Sequence, residues 1–195
     1  SFEGQSVEKV QDGGLVTKAK EGNKDAFGEL VERYKQKIYF AAYQMTNSLS
    51  DADDLSQEAF IKAYESINSF REKSSFSTWL YRIVVNITIN HLKKAGKMQT
   101  FTLDENISFK DSDLANYPDN PYKSAERHEL HEEIMKAIES LSLEQKTVVV
   151  LAILQGLSHK EIGNILDCPE KTVSWRLFQA RNKLTEKLAT YTNGR

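Results

Sequence analysis

Residues 158–188, SHKEIGNILDCPEKTVSWRLFQARNKLTEKL, decide the fold. Ser158 followed by Glu161 is a capping-box signature and opens a short helix. Asp167-Cys168-Pro169 breaks it, because proline cannot continue a helix, and a longer second helix follows. Ile162, Leu166, Val173, Leu177 and Leu184 supply a shared core, and the small Gly163 lets the two helices cross closely. This is a helix-turn-helix layout, whose exposed face at the start of the second helix suits a DNA major groove. The same pattern fits any helical hairpin, but charge favours the DNA-binding reading. Lys171, Arg176, Arg181, Lys183 and Lys187 against Glu170 and Glu186 leave the second helix at +3.

Working upstream, Ser142 with Gln145 is a second capping box, and Gly156 closes the helix that it opens. Helical order is predicted from Ser124, with Leu130, Ile134, Ala137, Ile138 and Leu141 turned inward. Residues 97–122 show no sustained period, hold Pro118 and Pro121, and carry Asp104, Glu105, Asp111, Asp113 and Asp119. They are expected to form a flexible linker. Before them, from Asp25 to about Leu92, the chain lacks proline and repeats apolar residues at helical spacing. Phe27, Leu30, Val31, Tyr34, Ile38, Ala42 and Met45 make the first stripe, and Leu55, Ala59, Ala63 and Ile67 the second. The break at residues 47–51 offers Ser50 as the second helix's cap, and a third helix is predicted from near Ser77. No strand pair and no internal repeat is found. The chain is therefore expected to be all-α, with two small helical domains, residues 15–96 and 124–190, joined by a linker over 97–123.

Length and composition agree with this. Across 195 residues, 39% are apolar and 28% charged, ordinary values for a folded protein. The longest apolar run, about Thr147 to Leu154, falls far short of a bilayer span, and SFEGQSVEKV lacks the features of a secretory signal. A lone Cys168, read as a small apolar core residue, suits a reducing, cytoplasmic setting.

The net charge of −2 conceals opposed blocks. Residues 68–98 carry Arg71, Lys73, Arg82, Lys93, Lys94 and Lys97 against Glu72 alone, a balance of +5. Residues 51–58 carry Asp51, Asp53, Asp54 and Glu58 without a cation, a balance of −4. Two kinds of partner surface are implied. In the basic block, FREKSSFSTWLYRIVVN (70–86) interleaves Phe70, Phe76, Trp79 and Tyr81 with Arg71, Lys73, Arg82, Ser74, Ser75 and Ser77. Rings that stack on unpaired bases beside cations that hold phosphates suit single-stranded nucleic acid, although Trp79 and Ile83 also fit a helix core. In the acidic block, Asp54 and Glu58 share one exposed helix face with no histidine beside them, which suits a protein partner better than acid–base chemistry. His128, His131 and Glu132 could be drawn as a metal site, but this spacing is common by chance on a charged helix. No metal, cofactor or catalytic constellation is expected, and the chain is not expected to be an enzyme.

Three segments, DLSQEAFIKAY (54–64), FSTWLYRIVVN (76–86) and GLSHKEIGNILDCPEKTVSWRLFQARNKL (156–184), resemble in order and separation the signatures of extracytoplasmic-function sigma factors of bacterial RNA polymerase, particularly the envelope-stress type. The resemblance covers about residues 15–190 and implies a promoter-specificity subunit. It implies that Asp54, Gln57 and Glu58 grip the polymerase β′ clamp helices. It assigns the melted non-template strand of the minus-ten element to Phe70, Arg71, Lys73, Ser74, Ser75, Phe76, Trp79, Arg82 and Asn86. It assigns the duplex minus-thirty-five element to Lys171, Thr172, Ser174, Trp175, Arg176, Phe178, Gln179 and Arg181, and it implies the β flap as a further polymerase contact and an anti-sigma partner. The family usually places cations at Ser174 and Gln179 and a small residue at Trp175, so fewer phosphate contacts are expected here. The rival, a stand-alone helix-turn-helix regulator, leaves residues 53–64 and 70–86 unexplained. A nucleic-acid-processing enzyme would need a constellation that four histidines and one cysteine do not supply.

Overall fold

The computed structural model describes residues 12–96, 133–134 and 136–192, all of whose regular structure is helical. The expected linker, the start of the helix predicted from Ser124, and His128, His131 and Glu132 lie outside these residues. Helix α1 spans residues 12–20, α2 Lys24–Thr46, α3 Leu49–Ser66 and α4 Phe76–Lys94, with a single 3₁₀ turn at Ile67–Ser69 before the loop that enters α4. After residues 136–139 (α5) come α6 Leu143–Val149, α7 His159–Leu166 and α8 Glu170–Thr192.

Side-chain caps set most boundaries. Asn23 accepts the Ala26 N–H at 3.0 Å to start α2, and Asn47, in the left-handed region at φ 53°, ends it. Ser48, not Ser50, caps α3 by accepting the Asp51 N–H at 3.2 Å. Ser50 lies two residues too late, within the helix. Ser75 likewise starts α4 slightly earlier than predicted, at Phe76. Both predicted capping boxes form, Ser142 with Gln145 and Ser158 with Glu161.

The inner stripes of α2, α3 and α4 meet in one core around Leu30, Ile38, Met45, Leu55, Leu80 and Val84. Val31 lies only at its edge. The second half does not stand apart, because Val148, Val150, Leu151, Ile162 and Ile165 join the same buried cluster. A π-helical stretch, Val150–Leu154, makes this possible: the Gln155 N–H reaches back to Val150 O at 3.0 Å, widening the turn where the second half meets α2.

Candidate nucleic-acid and polymerase interfaces

In α4, Phe76, Leu80 and Val84 face inward, which leaves Trp79, Arg82 and Asn86, at helical spacings of three and four, on the outer side. Arg82 and Asn86 are exposed, and Trp79 is half-buried. In the loop before them Arg71, Glu72 and Lys73 are exposed, while Ser74 and Ser75 are half-buried. Ser75 is occupied by capping, accepting the Thr78 N–H at 3.1 Å. The expectation that Phe70 and Phe76 offer open ring faces needs correction, since they are only 6% and 3% exposed. Phe76 packs on Tyr34 at 5.7 Å between ring centroids, and Phe70 packs on Trp79 at 5.1 Å and Phe76 at 5.9 Å. Burial of so much apolar area outweighs leaving the rings in water. These two rings form the floor of the surface, and Trp79 is its one partly open ring.

Part of this face is covered by the second half of the chain. Lys73, Trp79 and Arg82 line a cleft whose other wall is Asn164, Asp167 and Pro169. Nearby, Tyr81 OH donates to Gln155 Oε1 at 2.7 Å, and Gln155 Nε2 donates to Gln44 Oε1 at 3.1 Å. Asn47 Nδ2 donates to Glu139 Oε1 at 2.6 Å. Burial pushes the Lys146 ammonium below its ordinary pKa, opposed by Glu139. Burial pushes the Tyr43 phenol upward, with smaller contributions from Tyr39 and Glu139. No sequence signal pointed to these long-range contacts.

The acidic surface lies on α3. Asp54, Gln57 and Glu58 are all exposed, with Gln57 donating to Asp53 at 3.1 Å and Glu58 lying 3.5 Å from Lys62. Beside it, Val31, Tyr39, Phe40 and Phe60 line a groove that Asp53 and Gln57 border. The sequence reading found these carboxylates but missed Tyr39 and Phe40, because the apolar rim comes from a different helix. Burial and the nearby Asp53 raise the Tyr39 pKa, so this ring remains an uncharged phenol. A carboxylate face beside apolar rings offers a protein partner both charge and buried area.

The helix-turn-helix also forms, with one refinement. The close approach at Gly163 is to the turn: a Cβ there would lie 2.8 Å from the Cys168 carbonyl oxygen. Asp167 makes the turn at φ 52°, and Cys168 is half-buried. Val173 and Ala180 hold α8 to its neighbours, while Leu166, Leu177 and Leu184 are only half-buried. Trp175 and Phe178 are 57% and 54% exposed and stack on each other at 5.9 Å. Lys171, Gln179 and Arg181 are exposed beside them, and Thr172 and Arg176 are half-buried. Ser174 is exposed, yet its hydroxyl is tied to Glu170 O and to His159 Nδ1, each at 3.0 Å.

Comparison with known proteins gives this arrangement its class. Residues 30–98 match the family model for sigma-70 region 2, and residues 131–184 the model for sigma-70 region 4. The two matches together define a sigma factor. The ECF RNA polymerase sigma-E factor of Haemophilus influenzae is 38% identical over 192 residues, covering 93% of this chain and 97% of that protein. The ECF sigma factor SigW of Bacillus subtilis is 37% identical over 179 residues, covering 89% and 94%. Among solved structures, CnrH in complex with the cytosolic domain of CnrY superposes with a TM-score of 0.67 at 26% identity, over 90% of this chain and 96% of that one. The chain belongs to the ECF sigma factors of RNA polymerase and directs the polymerase to promoters. No helix among the described residues is long and apolar enough to cross a membrane.

Proposed function

We infer that the work of promoter engagement is divided among three surfaces of this chain, none of which transfers a chemical group, and that the chain acts in the cytoplasm with the polymerase. The region-2 half, residues 15–96, binds the β′ clamp helices through Asp54, Gln57 and Glu58, with Tyr39 and Phe40 adding apolar contact. Loop residues Arg71, Lys73, Ser74 and Ser75, with Trp79, Arg82 and Asn86, take the unpaired non-template strand of the minus-ten element. The region-4 half, residues 124–190, reads the duplex minus-thirty-five element through the face around Trp175, Arg176 and Phe178 and meets the β flap. An anti-sigma protein is the expected inhibitor.

The observation that carries this reading is the face of α4. Trp79, Arg82 and Asn86 combine a partly open ring, a phosphate-binding cation and an amide with both donor and acceptor on one rigid helix. A base flipped from a duplex costs a few kcal/mol, which such a site returns by stacking and edge hydrogen bonds. The test is Asn86→Ala in holoenzyme at a cognate promoter. The variant should still bind core polymerase and the upstream element, but permanganate footprinting should show loss of strand opening. Wild-type opening by this variant and by one with a shortened 71–75 loop would remove the pocket from this face.

A further inference from the structure

The segment before the region-2 match reaches the proposed strand-capturing loop. Helix α1, residues 12–20, is held at both ends. Val16 and Ala19 enter the main core. At its start the buried carboxylate of Asp12 accepts hydrogen bonds from Tyr34 OH and, at 3.1 Å, from Arg33 Nη1. At its end Lys20 Nζ donates to Glu72 Oε1 at 2.8 Å and lies 5.4 Å from the centroid of the Phe70 ring. One ammonium thus touches two loop residues only two positions apart.

Both contacts matter to the shape of the loop. Glu72 adopts φ 56°, a left-handed conformation that residues other than glycine adopt uncommonly and that surrounding contacts must hold. Phe70 is the buried ring on which Trp79 packs. Lys20 therefore holds the one residue in the loop with unusual backbone geometry, and it rests on the ring that supports the open aromatic of the site.

We propose that α1 is a brace for the loop 70–75 and that Lys20 is its positioning residue, fixing Arg71 and Lys73 for the unpaired strand without touching that strand. The proposal rests on the strand-capturing role argued above. An exposed ion pair is weak alone, so the effect should fall on loop order and strand capture, not on global stability.

The test uses the full chain with core polymerase and compares wild type, Lys20→Glu, Glu72→Lys and the double charge swap, with Lys20→Gln as a fifth protein. A promoter carrying a fluorescent base analogue in the minus-ten element reports opening, competition with labelled wild type reports core binding, and amide exchange reports loop order. Each single variant should open the promoter about three- to tenfold less and exchange faster over residues 71–75, with core binding and thermal midpoint unchanged. The swap should recover most of the opening. Lys20→Gln, which keeps a donor but loses the charge, should fall between. Normal opening by both single variants would overturn the brace, as would a loss that the swap does not recover. If wild type binds core polymerase but no variant or wild type captures the strand through residues 71–86, the strand-capturing role itself fails, and the brace with it.

Discussion

The two halves of this molecule solve the same packing problem with unequal means. The first half buries complete faces of α2, α3 and α4, with Leu30, Ile38, Met45, Leu80 and Val84 among its fully enclosed side chains. Among the described residues, the second half has a satellite cluster of Leu141, Val149 and Ala180, with Leu177 and Leu184 at its margin. Its largest fully buried side chains, Leu151, Ile162 and Ile165, lie in the core that the first half dominates. A group of helices this small buries little apolar area by itself, since the buried fraction falls with size. The second half therefore gains order from the first in the arrangement described, while its α8 keeps two large aromatic side chains in water.

The sharpest way to break this comparison is Leu151→Ala. Removing a fully buried leucine should cost about 2–5 kcal/mol. Amide exchange should rise in α7 and also along the α2 and α4 surfaces beside it. Exchange that rises only in α6 to α8 would show that the halves are stable independently. The next effect concerns the face that the second half leaves open. Arg176→Ala or Phe178→Ala should each weaken binding to the minus-thirty-five duplex by about 1–3 kcal/mol, without changing the melting temperature. Equal binding of all three proteins in a titration would show that the groove-reading surface lies elsewhere.

The smallest effect sharpens the boundary between the halves. Lys146 is buried with its pKa below the ordinary lysine value, so folding favours its neutral form. Its ionised form thus costs stability at neutral pH, and that cost declines as pH rises from the folded pKa towards the unfolded one. Lys146→Met removes the titrating group, so its stability relative to wild type should decline as the solution becomes more alkaline. Denaturant titrations at several pH values check this. An advantage that grows with pH would mean that Lys146 is stabilised as a cation.

The sequence disclosed what depends on neighbours within a few residues. The capping boxes at Ser142 and Ser158, the turn at Asp167 and the apolar stripes all follow from spacings of three or four. Ser48 and Ser50 illustrate the limit of such reasoning. Both can cap, they flank Leu49, and tertiary packing of α3 chooses between them. Phe70 and Phe76 illustrate another: a ring suited to stacking on a base is equally suited to a core, and only the position of Tyr34 and Trp79 decides. The contacts of Tyr81 with Gln155 and of Lys20 with Glu72 join residues 74 and 52 positions apart. No periodicity encodes such pairs. Likewise the acidic face of α3 was visible in its own helix, whereas Tyr39 and Phe40 reach it from another.

The link from Tyr81 through Gln155 to Gln44 has a consequence for length. On the proposed division of labour, the two halves engage DNA elements about 25 base pairs apart, which is ~85 Å along a duplex at about 3.4 Å per pair. With Tyr81 and Gln155 joined by a 2.7 Å hydrogen bond, the halves are held against each other and not at that separation. The roughly 36 residues between Gly96 and Glu133 could reach ~120 Å if fully drawn out, at about 3.3 Å each. Covalent reach is thus ample, and the apposition of the halves is what must be given up. On that division, a chain stretched along a promoter would exchange the shared core around Leu151 and Ile162 for contacts with polymerase and DNA, and its affinity for a promoter would include the cost of separating the halves.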